Sequence, residues 1–308
     1  MKTAIVEKGI YKYSKFPLAK YTRIVIMKIT ENRLRCERGV SMIFANHAHV
    51  FPEEIKPEGT VEKLLALMEN CGIDRAVCFA PFADRFCESS VAGEPNGWLA
   101  EKIKNIPSLV GFGTIDFDAP DLSGQVERIK ELGFAGIKMH PPYQEFRVDS
   151  PEAFEVYEQA QEEGLFISFH CGMHWHRLRD SLPVLFDEVA WNFPRLRFSL
   201  EHIGGYHFFN DALAVMCNNS RGGLQPRVFA GWTSVSNREG PTQWALTDEQ
   251  LETVIVQTGG ENSIFGLDFP YNDEDYIKAD IERIKNLNIS DEAKQNILGG
   301  SLARALGM

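Results

Sequence analysis

From Met42 onward the chain alternates, eight times over, a short apolar or β-branched run with a longer amphipathic segment. The short runs fall at about 42–47, 75–79, 109–115, 135–139, 166–169, 197–200, 227–230 and 263–266. Helical periodicity spans about 60–70, 96–104, 121–132, 150–163, 181–191, 206–217 and 247–257, and segments 273–286 and 290–306 follow the last run. Such alternation calls for parallel strands, because a parallel neighbour is reached only through a long return connection, usually a helix. Helix limits are legible too. Thr60, Thr247 and Ser150 before Pro151 make favourable N-terminal caps, while Gly72, Gly133 and Gly164 each close a helical segment just ahead of a strand. The 267 residues from Met42 to Met308 are close to the roughly 250 of an eight-fold α/β barrel. A doubly wound open sheet is the competitor. It loses because no Gly-rich phosphate turn follows the first run, and because polar residues are shared among many strand ends. The expected fold is one (β/α)8 TIM barrel over residues 42–308.

Residues 1–41 stand apart from that pattern. They hold 10 Lys/Arg against 3 Asp/Glu, whereas the remainder holds 22 against 40. Their apolar run Ile24-Val25-Ile26-Met27 is too short for a secretory signal. We read them as a basic extension outside the fold and expect the native chain to start at Met42; N-terminal sequencing that found Met1 or Lys2 would refute this. The overall charge of −11 disfavours a nucleic-acid partner, which would need a basic face. No apolar run approaches the roughly 18 residues of a membrane span. These features imply a soluble, cytoplasmic protein that acts on a small molecule and is compatible with a homodimer. The six cysteines (36, 71, 78, 87, 171 and 217) form no C-x-x-C, and Cys71 and Cys78 read as buried small hydrophobes. That usage suits a reducing compartment.

The chemistry gathers at the C-terminal ends of the runs, which meet at one mouth when such a barrel closes. The first run delivers His47 and His49. Residues two apart on a strand share a face, so this H-x-H aims both imidazoles at one point. The fourth run delivers Lys138 and His140, the fifth His170, the sixth His202 ahead of Ile203-Gly204-Gly205, and the eighth Asp268. Three imidazoles and a carboxylate can hold a zinc or similar ion and leave room for water. Blander roles compete: His170 as a hydrogen-bonded core residue, His202 as a structural group under the glycine turn, and Asp268 as a helix cap. His140, His174 and His176 are expected to line the mouth, and His207 to pack on a helix. Trp175, Arg177 and Arg179 follow the fifth run, where an arginine can clamp a carboxylate or simply sit in a solvated loop. Phe51, Phe82, Phe86 and Trp232 suggest a partly aromatic mouth for a planar or cyclic acid.

The order H-x-H, Gly-x-Lys-x-His-Pro, a strand-end His, His-x-Gly-Gly and Gly-x-Asp-x-Pro resembles the amidohydrolase superfamily. It is most similar to the amidohydrolase-2 branch, which includes aminocarboxymuconate-semialdehyde decarboxylase-like enzymes. The resemblance covers about 42–306. It implies one divalent ion, Zn2+ foremost and Mn2+ or Fe2+ as alternatives, held by His47, His49, His170 and Asp268. His202 would stand beside it as acid/base, sharing proton transfer with Asp268. From their positions at the mouth, rather than from the resemblance, Lys138, His140, His174, Trp175 and Arg177 are expected to meet substrate. In other amidohydrolase branches a carbamylated lysine bridges two metals; here we expect Lys138 to be a charged lysine near a single ion. Two positions depart from the family pattern. Ala45 replaces an acidic residue two places before the first His, and Leu267 replaces a Thr or Ser before the final Asp. Both touch groups that support the ligands, a kind of change worth about 10–100-fold in affinity or activity.

The main functional expectation is hydrolysis, with metal-activated water attacking the carbonyl of a small ester, lactone or amide. The alternative is non-oxidative decarboxylation of a small unsaturated or aromatic acid at the same site. A non-catalytic metal- or ligand-binding barrel is the third reading, under which His202→Asn would leave the biological role intact.

Overall fold

A computed structural model describes residues 42–220, 225–236 and 242–308. Residues 1–41, read above as a basic extension, lie outside the described residues. Eight strands form a closed barrel in sequential order: β1 (Phe44–His49), β2 (Arg75–Phe79), β3 (Leu109–Thr114), β4 (Gly136–Met139), β5 (Phe166–Gly172), β6 (Arg197–Gly204), β7 (Val228–Trp232) and β8 (Ser263–Phe269). Every neighbouring pair is parallel, and β8 returns to β1. A long helix follows each strand: α1 (Val61–Cys71), α2 (Pro95–Ile103), α3 (Leu122–Glu131), α4 (Pro151–Glu162), α5 (Leu185–Asn192), α6 (Gly205–Asn219), α7 (Asp248–Thr258) and α8 (Glu274–Asn286). This is the (β/α)8 barrel that the alternation requires.

Local chemistry sets the helix ends as the sequence indicates. The hydroxyls of Thr60, Ser150 and Thr247 accept hydrogen bonds from backbone N–H groups three residues on, and Gln250 completes a capping box with Thr247. Gly72, Gly133 and Gly164 all take left-handed backbone, with φ of 69°, 77° and 67°. The strands, however, outrun their apolar runs. Strand β1 ends at His49 rather than 47, β5 at Gly172, β6 at Gly204 and β8 at Phe269. Ladder hydrogen bonds belong to the backbone, so pairing continues after the side chains turn polar. The site residues therefore stand on the sheet itself. Helix α5 starts later than expected, after a turn at Leu178–Asp180.

Two apolar layers hold the barrel. One lies between strands and helices; the other fills the barrel's lower interior with Phe44, Val77, Phe79, Val110, Phe112, Phe166, Phe229 and Ile264. Fully burying each such side chain is worth about 1.5–3 kcal/mol. The expected final helix, 290–306, is instead broken by a wide turn at Asn296–Gly300. A Cβ on Gly299 would meet the Phe44 nitrogen at 2.6 Å and the Met42 oxygen at 2.8 Å. The break lets the closing helix Ser301–Leu306 join the interior cluster through Leu302, Ala303 and Ala305, stoppering the bottom. Above the apolar floor the interior turns polar: Asn46, Lys138, Ser168, Ser199 and Glu201 are each 0% exposed. Among the described residues no helix is long and apolar enough to cross a membrane.

Candidate active site

The mouth is where the backbone leaves its regular path. His47 has φ of 62° within a register shift of β1 against both β2 and β8. His202, Ile203, Gly204 and Gly205 form a run of four positive φ values, and Ser234 and Asp268 add two more. A non-glycine residue held there costs of order 1–3 kcal/mol, a cost that persists only when the surroundings impose it. Here the barrel imposes it, and the outcome is convergence. His47 and His49 do aim at one point, but through this bulge rather than through simple two-residue alternation.

His47 Nε2 and His49 Nε2 lie 3.5 and 3.4 Å from Asp268 Oδ1. One donor atom from each of the three falls within 4.8 Å of the others, a grouping that could hold a metal ion. Asp268 Oδ2 accepts a 2.6 Å hydrogen bond from Ser234, whose Oγ in turn accepts from Asn272 Nδ2 at 2.9 Å. That network answers the Leu267 departure: Leu267 is buried in the outer layer, and the supporting hydroxyl comes from Ser234 on the segment after β7. His170, expected as a ligand, stands outside the three-residue group. Its ring stacks on His140 at 3.8 Å and lies 4.8 Å from His202, while its Nε2 is buried with no hydrogen-bond partner. His202 Nδ1 donates to the Thr233 carbonyl at 2.8 Å, which leaves Nε2 bare.

Burial pushes the imidazoles down: His47 to about 3, His174 to about 4, and His49, His140, His170 and His202 in the same direction. They are neutral at pH 7, as ligands must be. Burial alone would raise the Asp268 carboxyl, but the His49 contact and the neighbouring imidazoles hold it far below the usual carboxylate range. Burial likewise opposes the charge on Glu201. The contact with His47, the Lys138 ammonium and the Ser199 hydroxyl outweigh it and hold that carboxyl at about 2. Lys138 is lowered by burial to about 8, with Glu201 and Asp268 acting the other way. Two anions thus face one cation around neutral imidazoles. Uncompensated buried charge is costly, so the donor set and its charge both fit a divalent cation.

A cavity of about 510 Å³ opens above these groups, lined by His47, His49, His140, His170, His174, Trp175, His202 and Asp268 among others. Two expected substrate contacts are not on its wall. Lys138 is fully buried beneath it, its Nζ without a hydrogen-bond partner and 5.6 Å over the Phe79 ring. Arg177 is exposed on the loop after β5; among the described residues the arginine lining the cavity is Arg85, from the turn Ala83–Phe86. Phe51 and Phe82 do line the mouth, whereas Phe86 and Trp232 are buried in the body of the protein. Tyr143, Trp244 and Tyr271 supply the remaining flat walls. His176, expected at the mouth, is exposed and not on the cavity wall, and His207 lies on α6 as expected but is exposed rather than packed.

Ser234, Asn272 and Trp244 lie on irregular segments with no sequence pattern to betray them. Glu201 did leave a signal, a carboxylate between Leu200 and His202 in a strand otherwise built for burial.

The chain is similar to known decarboxylases. It is 24% identical over 243 residues to 2-amino-3-carboxymuconate-6-semialdehyde decarboxylase of Dictyostelium discoideum, a match covering 69% of this chain and 65% of that protein. Its fold matches 5-carboxyvanillate decarboxylase of Sphingomonas paucimobilis with TM-score 0.65 and 17% identity, over 87% of this chain and 99% of that one. A Polaromonas dihydroxybenzoic acid decarboxylase, solved with manganese and 2-nitroresorcinol, gives TM-score 0.65 and 14% identity over 87% and 97%. The model of the amidohydrolase-2 family matches residues 45–307, from β1 through the closing helix. The chain therefore belongs to the amidohydrolase-2 family.

Proposed function

We propose that this enzyme is a divalent-metal-dependent, non-oxidative decarboxylase of a small, planar, unsaturated or aromatic carboxylic acid. The observation that carries the reading is the cavity: flat rings of Phe51, Phe82, Tyr143, Trp244 and Tyr271 surround the His47–His49–Asp268 group, with a guanidinium at the rim. A planar acid can stack between such rings. Arg85, which pairs with Glu88, can exchange that carboxylate for the substrate's, because its fork matches carboxylate geometry. The decarboxylase relatives support the same reading ahead of the hydrolysis that the sequence favoured.

His47, His49 and Asp268 would hold the ion, with the bare Nε2 of His170 as a fourth donor. Imidazole and carboxylate ligands suit Zn2+, and Mn2+ or Fe2+ as alternatives. Such an ion supplies a Lewis acid that polarises a substrate oxygen. His202 manages the proton. With Nδ1–H committed to Thr233, its Nε2 accepts a proton from a substrate hydroxyl or water and returns it to the carbon that loses the carboxylate. The carbon–carboxylate bond breaks, its electron pair stays on that carbon, and the proton replaces CO2. The Asp268 charge nearby offsets part of the loss of basicity that burial imposes on His202.

The test is CO2 release from a panel of hydroxybenzoates and muconate-type acids, run beside ester, lactone and amide cleavage on one metal-loaded preparation. Decarboxylation with little cleavage is expected. Cleavage without CO2 would overturn the proposal in favour of hydrolysis, and neither activity would favour a binding role.

A further inference from the structure

We propose that Glu201, a residue with no assigned role, is the positioning residue that selects the metal-binding tautomer of His47. The inference rests on the reading of His47 as a ligand. Glu201 is fully buried on β6, directly under the site. Its Oε1 accepts hydrogen bonds from Asn46 Nδ2 at 2.7 Å, from Ser168 Oγ at 3.1 Å and from Ser199 Oγ. Its Oε2 accepts from Thr233 Oγ1 at 2.6 Å and lies 3.4 Å from His47 Nδ1. His47 Nδ1 closes no hydrogen bond in this geometry, and Glu201 Oε2, 3.4 Å away, is the carboxylate oxygen its proton can reach.

The barrel makes room for this side chain. A Cβ on Gly231 would come within 2.6 Å of the Glu201 carboxyl carbon, and one on Gly266 within 2.0 Å of Thr233 Oγ1 and 3.4 Å of Glu201 Oε2. Strands β7 and β8 thus give up side chains where the carboxylate and its threonine lie. A carboxylate surrounded by donors can only accept. It therefore holds the proton of His47 on Nδ1 and leaves Nε2, 3.5 Å from Asp268, free for an ion. Asp268 competes for the opposite tautomer, with the proton on Nε2, which cannot ligate. An outer carboxylate that fixes a ligating histidine in this way typically contributes about 10–100-fold in metal affinity.

Glu201→Gln tests this sharply. Three donors converge on the Oε1 position, so the glutamine carbonyl belongs there, and its NH2 falls where Oε2 faced His47 Nδ1. That NH2 demands a lone pair on Nδ1 and drives the proton to Nε2. Imidazole nitrogen NMR of the metal-free full chain should find His47 protonated on Nδ1 in the wild type and on Nε2 in the variant. Competition with a chromophoric chelator should show Zn2+ binding weakened by about 10–100-fold, with an unchanged circular dichroism spectrum. A folded variant with the wild-type tautomer and Zn2+ affinity within about twofold would overturn the proposal. So would a wild-type His47 protonated on Nε2, a measurement that decides the matter even where the variant fails to fold. A wild type that binds no divalent ion would sink the metal reading instead, while the tautomer spectra still judge Glu201.

Discussion

At the scale of single residues, the mouth assigns roles through what each nitrogen can reach. His202 spends Nδ1–H on Thr233 and keeps Nε2 bare, whereas His170 keeps a buried Nε2 without a partner. His202→Asn, a residue that tolerates the left-handed backbone found there, should lower kcat for CO2 release by about 10²–10⁴-fold. Metal content per chain, measured by elemental analysis, should stay unchanged. Arg85→Met should raise KM for a carboxylate substrate by about 10–100-fold, the scale of a lost charge-assisted hydrogen bond of roughly 1.5–3 kcal/mol. Steady-state kinetics should find kcat within a few-fold. An equal loss in kcat and kcat/KM, with KM unchanged, would mean that Arg85 acts in the transition state instead.

At the scale of elements, the same strands that support the site also constrain it. The closing helix stoppers the barrel only because the Asn296–Gly300 turn redirects it, and Leu302 is 0% exposed among the interior aromatics. Leu302→Ala should cost about 2–5 kcal/mol, seen as a lower urea midpoint with little change in slope. Much of the barrel could be read from the chain because helix caps and apolar periods are local signals. The ends of β5, β6 and β8 could not, because an apolar run stops where side chains turn polar while backbone pairing goes on. The H-x-H motif shows the same limit: it announced convergence, but the bulge at His47 that achieves it depends on neighbours in β2 and β8.

At the scale of the whole molecule, six imidazoles are gathered in one mouth and pushed below their ordinary value of 6.5, with His47 at about 3 and His174 at about 4. In the unfolded chain they would take up protons below about pH 6.5, whereas in the fold all six stay neutral to lower pH, His47 to about 3 and His174 to about 4. The unfolded state then binds more protons, so stability is fully present above pH 6.5 and falls as pH drops through the window toward 4. Glu201, held at about 2, adds a further loss at more acid pH, because its folded value also lies below its unfolded one. Thermal melts of the metal-free protein from pH 8 to 4 should therefore decline from near 6.5. A flat profile down to pH 4.5 would contradict the burial of these histidines. The amino-acid sequence by itself determined the strand–helix alternation, the eight-fold count and the histidines at strand ends, because these follow from period, capping and chain order. Tertiary structure alone decided that the bulge at His47 brings it and His49 onto Asp268, that Arg85 and not Arg177 lines the cavity, and that Glu201 lies beside His47. Those outcomes depend on distances between segments far apart in the chain, which the twist, bulges and closure of the barrel set and which no local pattern records.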